Sequence, residues 1–125
     1  MSVISIEQLL AQSRAPLIPI TIDRIEGAES QADDLSMVTV MAGNTVTVSG
    51  VLEIPDRVFN MPVKWKGDWR LFQATVVSGR FTVQVWFTES GVAVYDDECA
   101  NKDLQEPVFS TPRVQFDVLA KPLTA

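Results

Sequence analysis

Over residues 81–88 the chain alternates: Phe81, Val83, Val85 and Phe87 are all apolar, while Thr82, Gln84, Trp86 and Thr88 between them are mixed. Successive side chains of a strand point to opposite faces, so this segment predicts a strand with one face on a core and the other toward solvent. That pattern suits an antiparallel sheet better than a buried parallel one. The same period recurs at Ile18, Ile20 and Ile22, and again where Val46 and Val48 alternate with Thr45 and Thr47. Turn residues punctuate these runs at Gly43-Asn44, Gly67-Asp68, Ser78-Gly79-Arg80 and Ser90-Gly91.

The expected fold class is therefore mainly β, an antiparallel barrel or sandwich of seven to eight short strands with one short N-terminal helix. Strands are expected at about residues 17–26, 37–42, 45–54, 69–77, 81–88, 92–95, 108–109 and 113–119. The first reads as an edge strand because Pro19 has no N–H to donate. Residues 37–42 and 45–54 read as a hairpin, and Pro55 and Pro62 as the brackets of an irregular connection. Residues 27–36 and 96–106 read as exposed acidic loops, the second with room for a helical turn. Ser5-Ile6-Glu7-Gln8 resembles a capping box, which predicts a helix over residues 6–13 with Ile6, Leu9 and Leu10 on one face, closed off by Pro16.

A chain of 125 residues is the size of a single domain spanning residues 1–125, with a β-rich body over residues 17–119, and needs no disulfide or metal to staple it. No apolar run approaches the roughly 20 residues of a membrane-spanning helix. Residues 1–13 lack the basic start of a secretory signal, and the single Cys99 has no partner for a disulfide. Together these predict an acidic, cytoplasmic protein without membrane attachment.

The chain has no histidine, which removes the side chain that titrates near neutrality and most often ligates metals. Neither a serine-nucleophile motif nor a phosphate-cradling glycine loop is present. A carboxylate pair drawn from Asp23, Glu26, Glu53, Asp56 or Asp117 could in principle hydrolyse a glycoside, but no spacing singles out a pair. The run Asp96-Asp97-Glu98-Cys99-Ala100-Asn101-Lys102-Asp103 gathers oxygen ligands without the glycine and terminal glutamate of a calcium loop. The three acids before Cys99 are expected to suppress its thiolate. The expectation is a binding protein, not an enzyme, with no metal and no cofactor.

Charge is unevenly spread. Residues 57–80 hold five bases and one acid, a net +4, so with −6 overall the remainder sums to −10. Within this segment Lys64, Trp65, Lys66, Trp69 and Arg70 set tryptophans among cations at a turn, and Arg80 follows. Exposed tryptophan and arginine make protein interface anchors, so the favoured function is a small accessory or inhibitor-type protein that binds a protein partner here, with at least one tryptophan partly exposed. Opposed charge patches would also suit homo-oligomers.

Two other readings use other chemistry. The same aromatics and cations could stack and neutralise single-stranded nucleic acid on an OB-like sheet. Alternatively, Met37, Met41, Phe72 and Trp86 could line the cavity of a β-barrel that takes a small apolar ligand.

Overall fold

The computed structural model describes residues 17–120, so the helix expected over residues 6–13 lies outside the described residues. Along the chain come β1 (Ile18–Pro19), β2 (Thr21–Glu26), β3 (Ser30–Gln31), β4 (Met37–Met41), β5 (Thr45–Val51), β6 (Arg57–Trp65), β7 (Asp68–Val77), β8 (Arg80–Trp86), β9 (Gly91–Tyr95), α1 (Asp97–Ala100), β10 (Phe109–Ser110) and β11 (Val114–Leu119). Eight of these strands have five or more residues and three have two. The protein is mainly β, as its alternation requires.

Nine strands form one sheet in the order β2-β5-β8-β7-β6-β9-β11-β4-β3, and β1 pairs separately with β10. Among the described residues only one turn of helix lies beside it, and the sheet buries its apolar face by curling on itself. Its inner face carries a core that includes Val46, Val48, Phe72, Val76, Phe81, Val85, Phe87, Val114 and Phe116. The sheet edges β2 and β3 are not paired with each other, but only residues 27–29 separate them in sequence. Four virtual bonds span at most about 15 Å, so the two edges are held close at that end. An extra residue, Asp23, bulges out of β2 between Ile22 and Arg24, which lets Ile22 and Ile25 face the same side despite their odd spacing.

Pairing departs from the expected meander in two places. Strands β4 and β5 are not a hairpin: β4 lies between β11, to which it is parallel, and β3, whereas β5 lies between β2 and β8. Gly43 donates to the Phe87 carbonyl and Ala42 to that of Leu119, so the turn carries the chain across the seam of the sheet. The region between Pro55 and Pro62 is not irregular either, for β6 is a nine-residue strand that runs straight through Pro62. It forms a hairpin with β7 from Arg57↔Val76 to Trp65↔Asp68.

Candidate functional site

The hairpin turn of β6 and β7 is built from Lys66 (φ 51°) and Gly67 (φ 77°). Two positive φ values in a two-residue loop match the twist of the strands they join, and Gly67 adopts that conformation without Cβ strain. The turn sets the inward faces: Phe59, Met61, Val63 and Trp65 on β6 and Phe72, Ala74 and Val76 on β7. Trp65 is accordingly buried, at 7% exposure. It stacks on Phe87 with ring centroids 4.6 Å apart and lies over Gly91, where a Cβ would stand 2.8 Å from the indole. Trp69 points the other way, is half-buried, and carries the Lys102 ammonium 5.1 Å from its ring. At least one of the two tryptophans is expected to be partly exposed: Trp69 is, and Trp65 is core.

The cations around them are largely engaged. Lys64 meets Asp96 at 3.0 Å and Glu98 at 2.5 Å, and the hydrogen bonds it donates to Glu98 and Asp96 raise its pKa above the ordinary lysine value. Lys66 pairs with Glu89 at 3.2 Å. Arg80 holds both carboxylate oxygens of the bulged Asp23, at 3.0 and 2.9 Å. It also sits opposite Val77, eight residues along β7 from Trp69, roughly 26 Å at strand rise. Lys64, Lys66 and Arg70 thus cluster with Trp65 and Trp69, while Arg80 belongs to the far end. Arg70 lies half-buried over the core, 5.3 Å from Phe72 and 5.8 Å from Phe87.

The residues suggested for an internal ligand cavity do not share one. Met37 and Trp86 are exposed on the outer face at 41% and 44%, whereas Phe72 is fully buried. Phe72 touches the Trp86 ring edge-on at 5.2 Å, and Met41 sits half-buried in β4. The apolar interior between Val48, Met61, Phe81 and Phe116 has a void of about 20 Å³, room for about one water and for no organic ligand. Strict in-out alternation places Met37 and Trp86 outside, which residue type alone did not reveal.

A larger space lies at the segments that the sequence predicts as an irregular connection and an acidic loop. Strand β9 pairs with β6 only at Lys64↔Val94 and Trp65↔Ala93. Beyond these β9 ends at Tyr95 and the chain turns into α1, and a groove of about 230 Å³ opens between the first half of β6 and α1 with the segment that follows it. Its apolar lining includes Ile54, Phe59, Met61, Leu104 and Phe109, with Arg57, Lys102 and Asp103 among the polar residues beside it. Among the described residues Arg57 has no carboxylate within ion-pair distance. Its Nε donates to the Pro55 carbonyl at 3.3 Å.

Cys99, Ala100, Lys102 and Asp103 form one wall of this groove, and the acids before them hold that wall in place. Asp96 caps α1 by accepting from the Cys99 N–H at 3.1 Å, and the Asp97 carboxylate accepts from the Thr111 N–H at 2.8 Å. Asn101 ties the far side, its side chain donating to the Phe109 carbonyl and accepting from Val108 and Phe109 N–H. These oxygens face protein donors, and among the described residues no three acidic or sulfur side chains converge as a metal site would need. Cys99 is fully buried. Burial, more than the neighbouring acids, pushes its thiol up to about 11, so it stays protonated and packs as a small apolar group.

The signals that could have located the groove are weak ones: apolar Ile54, Phe59 and Met61 around two prolines, and Leu104 and Phe109 beyond the acids. Comparison with protein-family models, with curated proteins and with solved structures found no match. Among the described residues no helix is long and apolar enough to cross a membrane.

Proposed function

We propose that this protein is a non-enzymatic binding module that captures a protein partner in the groove between β6 and α1. The observation that carries the reading is the groove itself, an apolar space of about 230 Å³ bordered by Arg57 and Lys102, beside an interior that is filled. It falls short of the roughly 300 to 1,000 Å³ of a pocket that encloses a whole small molecule, and suits a few side chains of a larger partner. Lys102 bridges the groove to the half-buried Trp69, so part of the tryptophan and lysine surface singled out in the sequence adjoins it.

Two features favour this over the other readings. The ion pairs of Lys64, Lys66 and Arg80 leave no continuous row of free cations for a phosphate backbone to follow. Among the described residues, the two carboxyls displaced from their ordinary pKa, Asp34 and Asp96, are both lowered, the direction opposite to that needed for a general acid.

The test is affinity capture with the immobilised full-length chain and two variants. Ala100→Phe, which fills the groove, is expected to lose the captured partner, and Trp69→Ala to retain it. Loss with Trp69→Ala and retention with Ala100→Phe would move the working surface to the hairpin. Absence of any captured polypeptide would remove the protein-partner reading.

A further inference from the structure

The backbone of β6 decides what kind of segment fits this groove. In a hairpin closed by a two-residue turn, the residues flanking the turn exchange both of their hydrogen bonds, and every second pair outward does the same. Trp65↔Asp68 flanks the turn here, so Val63↔Arg70, Met61↔Phe72, Phe59↔Ala74 and Arg57↔Val76 are the hydrogen-bonded pairs of the β6–β7 ladder. The alternate residues Lys64, Pro62, Asn60 and Val58 therefore turn their N–H and C=O groups away from β7. Lys64 spends its groups on Val94 of β9. Pro62 confirms the phase independently, because its missing N–H falls on the side where β7 requires no donor.

Past Lys64 there is no more of β9 to pair with, since it ends at Tyr95 and the chain turns into α1, and the described residues provide no backbone partner for Val58, Asn60 or the Pro62 carbonyl. Two N–H and three C=O groups thus point into the space where the next strand would lie. That space is apolar on its inner side, at Phe59 and Met61, and ends at Arg57. Resting on the groove as the partner site, we propose that it is a strand-addition site. An extended segment of the partner protein pairs antiparallel with β6 over Val58–Pro62, continuing the row that β9 leaves. Its alternate apolar side chains enter the groove, and a carboxylate at its C-terminal end meets Arg57. An antiparallel segment brings its C-terminal end to Arg57 because Arg57 is the first residue of β6. Main-chain bonds supply the affinity and the groove selects the side chains, as in other cases of strand addition.

The experiment follows amide hydrogen exchange in the full-length chain. The probe is a mixture of hexapeptides in which Val, Ile, Leu or Phe alternates with Ser, each with a free carboxylate. In the free protein, Val58 and Asn60 should exchange fast, while Phe59 and Met61, bonded to β7, are protected. At about 1 mM peptide, protection at Val58 and Asn60 should rise at least about tenfold, since each bond is worth a few-fold to tenfold in equilibrium.

Asn60→Pro removes the donor on the same side as Pro62 and should weaken binding at least about fivefold, whereas Asn60→Ala, which keeps the backbone, should change it less than about twofold. Arg57→Ala should weaken peptides with a free carboxylate and leave amidated ones unaffected. If Asn60→Pro fails to fold, the exchange pattern of the unmodified chain still decides.

Val58 and Asn60 already protected in the free protein would show that the chain covers its own edge, residues 1–16 included, and would overturn the proposal. Peptide-induced shifts at Phe59 and Leu104 without protection of the two amides would overturn strand addition and leave the groove as a side-chain site. No shift at any groove residue would overturn both.

Discussion

The two halves of β6 have opposite fates. From Val63 to Trp65 the strand has β7 along one edge and β9 on the other, its lysine is held by two carboxylates, and its tryptophan is inside the core. From Arg57 to Pro62 it has β7 on one edge and the groove on the other. The half rich in aromatic and charged residues is the one whose interactions are satisfied within the chain. The half that looked like a proline-bracketed connector is the one left with something to offer. A residue's capacity for binding shows in sequence, but whether the fold has already used that capacity does not.

The largest expected effect separates the two tryptophans. Trp65→Ala should cost about 3 to 5 kcal/mol in urea unfolding, the usual loss for a buried large aromatic. Trp69→Ala, half-buried under Lys102, should cost less than about 2 kcal/mol, because solvent already reaches its ring. Equal losses would break the distinction between core and surface that divides the hairpin.

Next in size is the reactivity of Cys99, on the wall of the open half. With its thiol at about 11, alkylation by iodoacetamide at pH 8 should be more than about a hundredfold slower in the folded chain than in urea, since only the thiolate reacts. Labelling at the unfolded rate would mean that α1 lifts from β6 and that the groove has no fixed wall.

The smallest effect concerns the closed half. Burial raises the Asp96 carboxyl, but hydrogen bonds from Lys64 and from Cys99 outweigh it, and its pKa ends below the ordinary 3.8. A carboxyl depressed in the folded state contributes stability above its unfolded pKa and loses it as pH falls through the folded value. Lys64→Met removes much of that depression. The stability gap between parent and variant should therefore be open at pH 6 and shrink below about pH 3.8, as protonation of Asp96 removes the parent's advantage. A gap independent of pH would show that the Lys64 ion pairs are only a surface decoration.

Much of the fold was legible because strand alternation is a local property. The period of two at residues 81–88 was enough to assign β8 and to predict that Phe81, Val83, Val85 and Phe87 are buried, as they are. Strand pairing was not legible in the same way: nothing in Gly43-Asn44 distinguishes a hairpin from a turn that crosses the seam. The site was less legible still. Lys64, Lys66 and Arg80 read as binding cations because their partners Asp96, Glu89 and Asp23 lie far off in sequence, and the sequence does not tell which of Trp65 and Trp69 is exposed because both have charged neighbours.

By itself the sequence determined that this chain alternates into strands, that it lacks an imidazole, and that its positive charge is concentrated in residues 57–80. Each follows from residue type and spacing, which act over a few residues. Tertiary structure alone decided that β9 pairs with β6 no further than Lys64, that Pro62 lies within a strand, and that a groove opens between that strand and α1. These depend on which strands lie side by side, and that is fixed by closing a core from residues far apart in sequence.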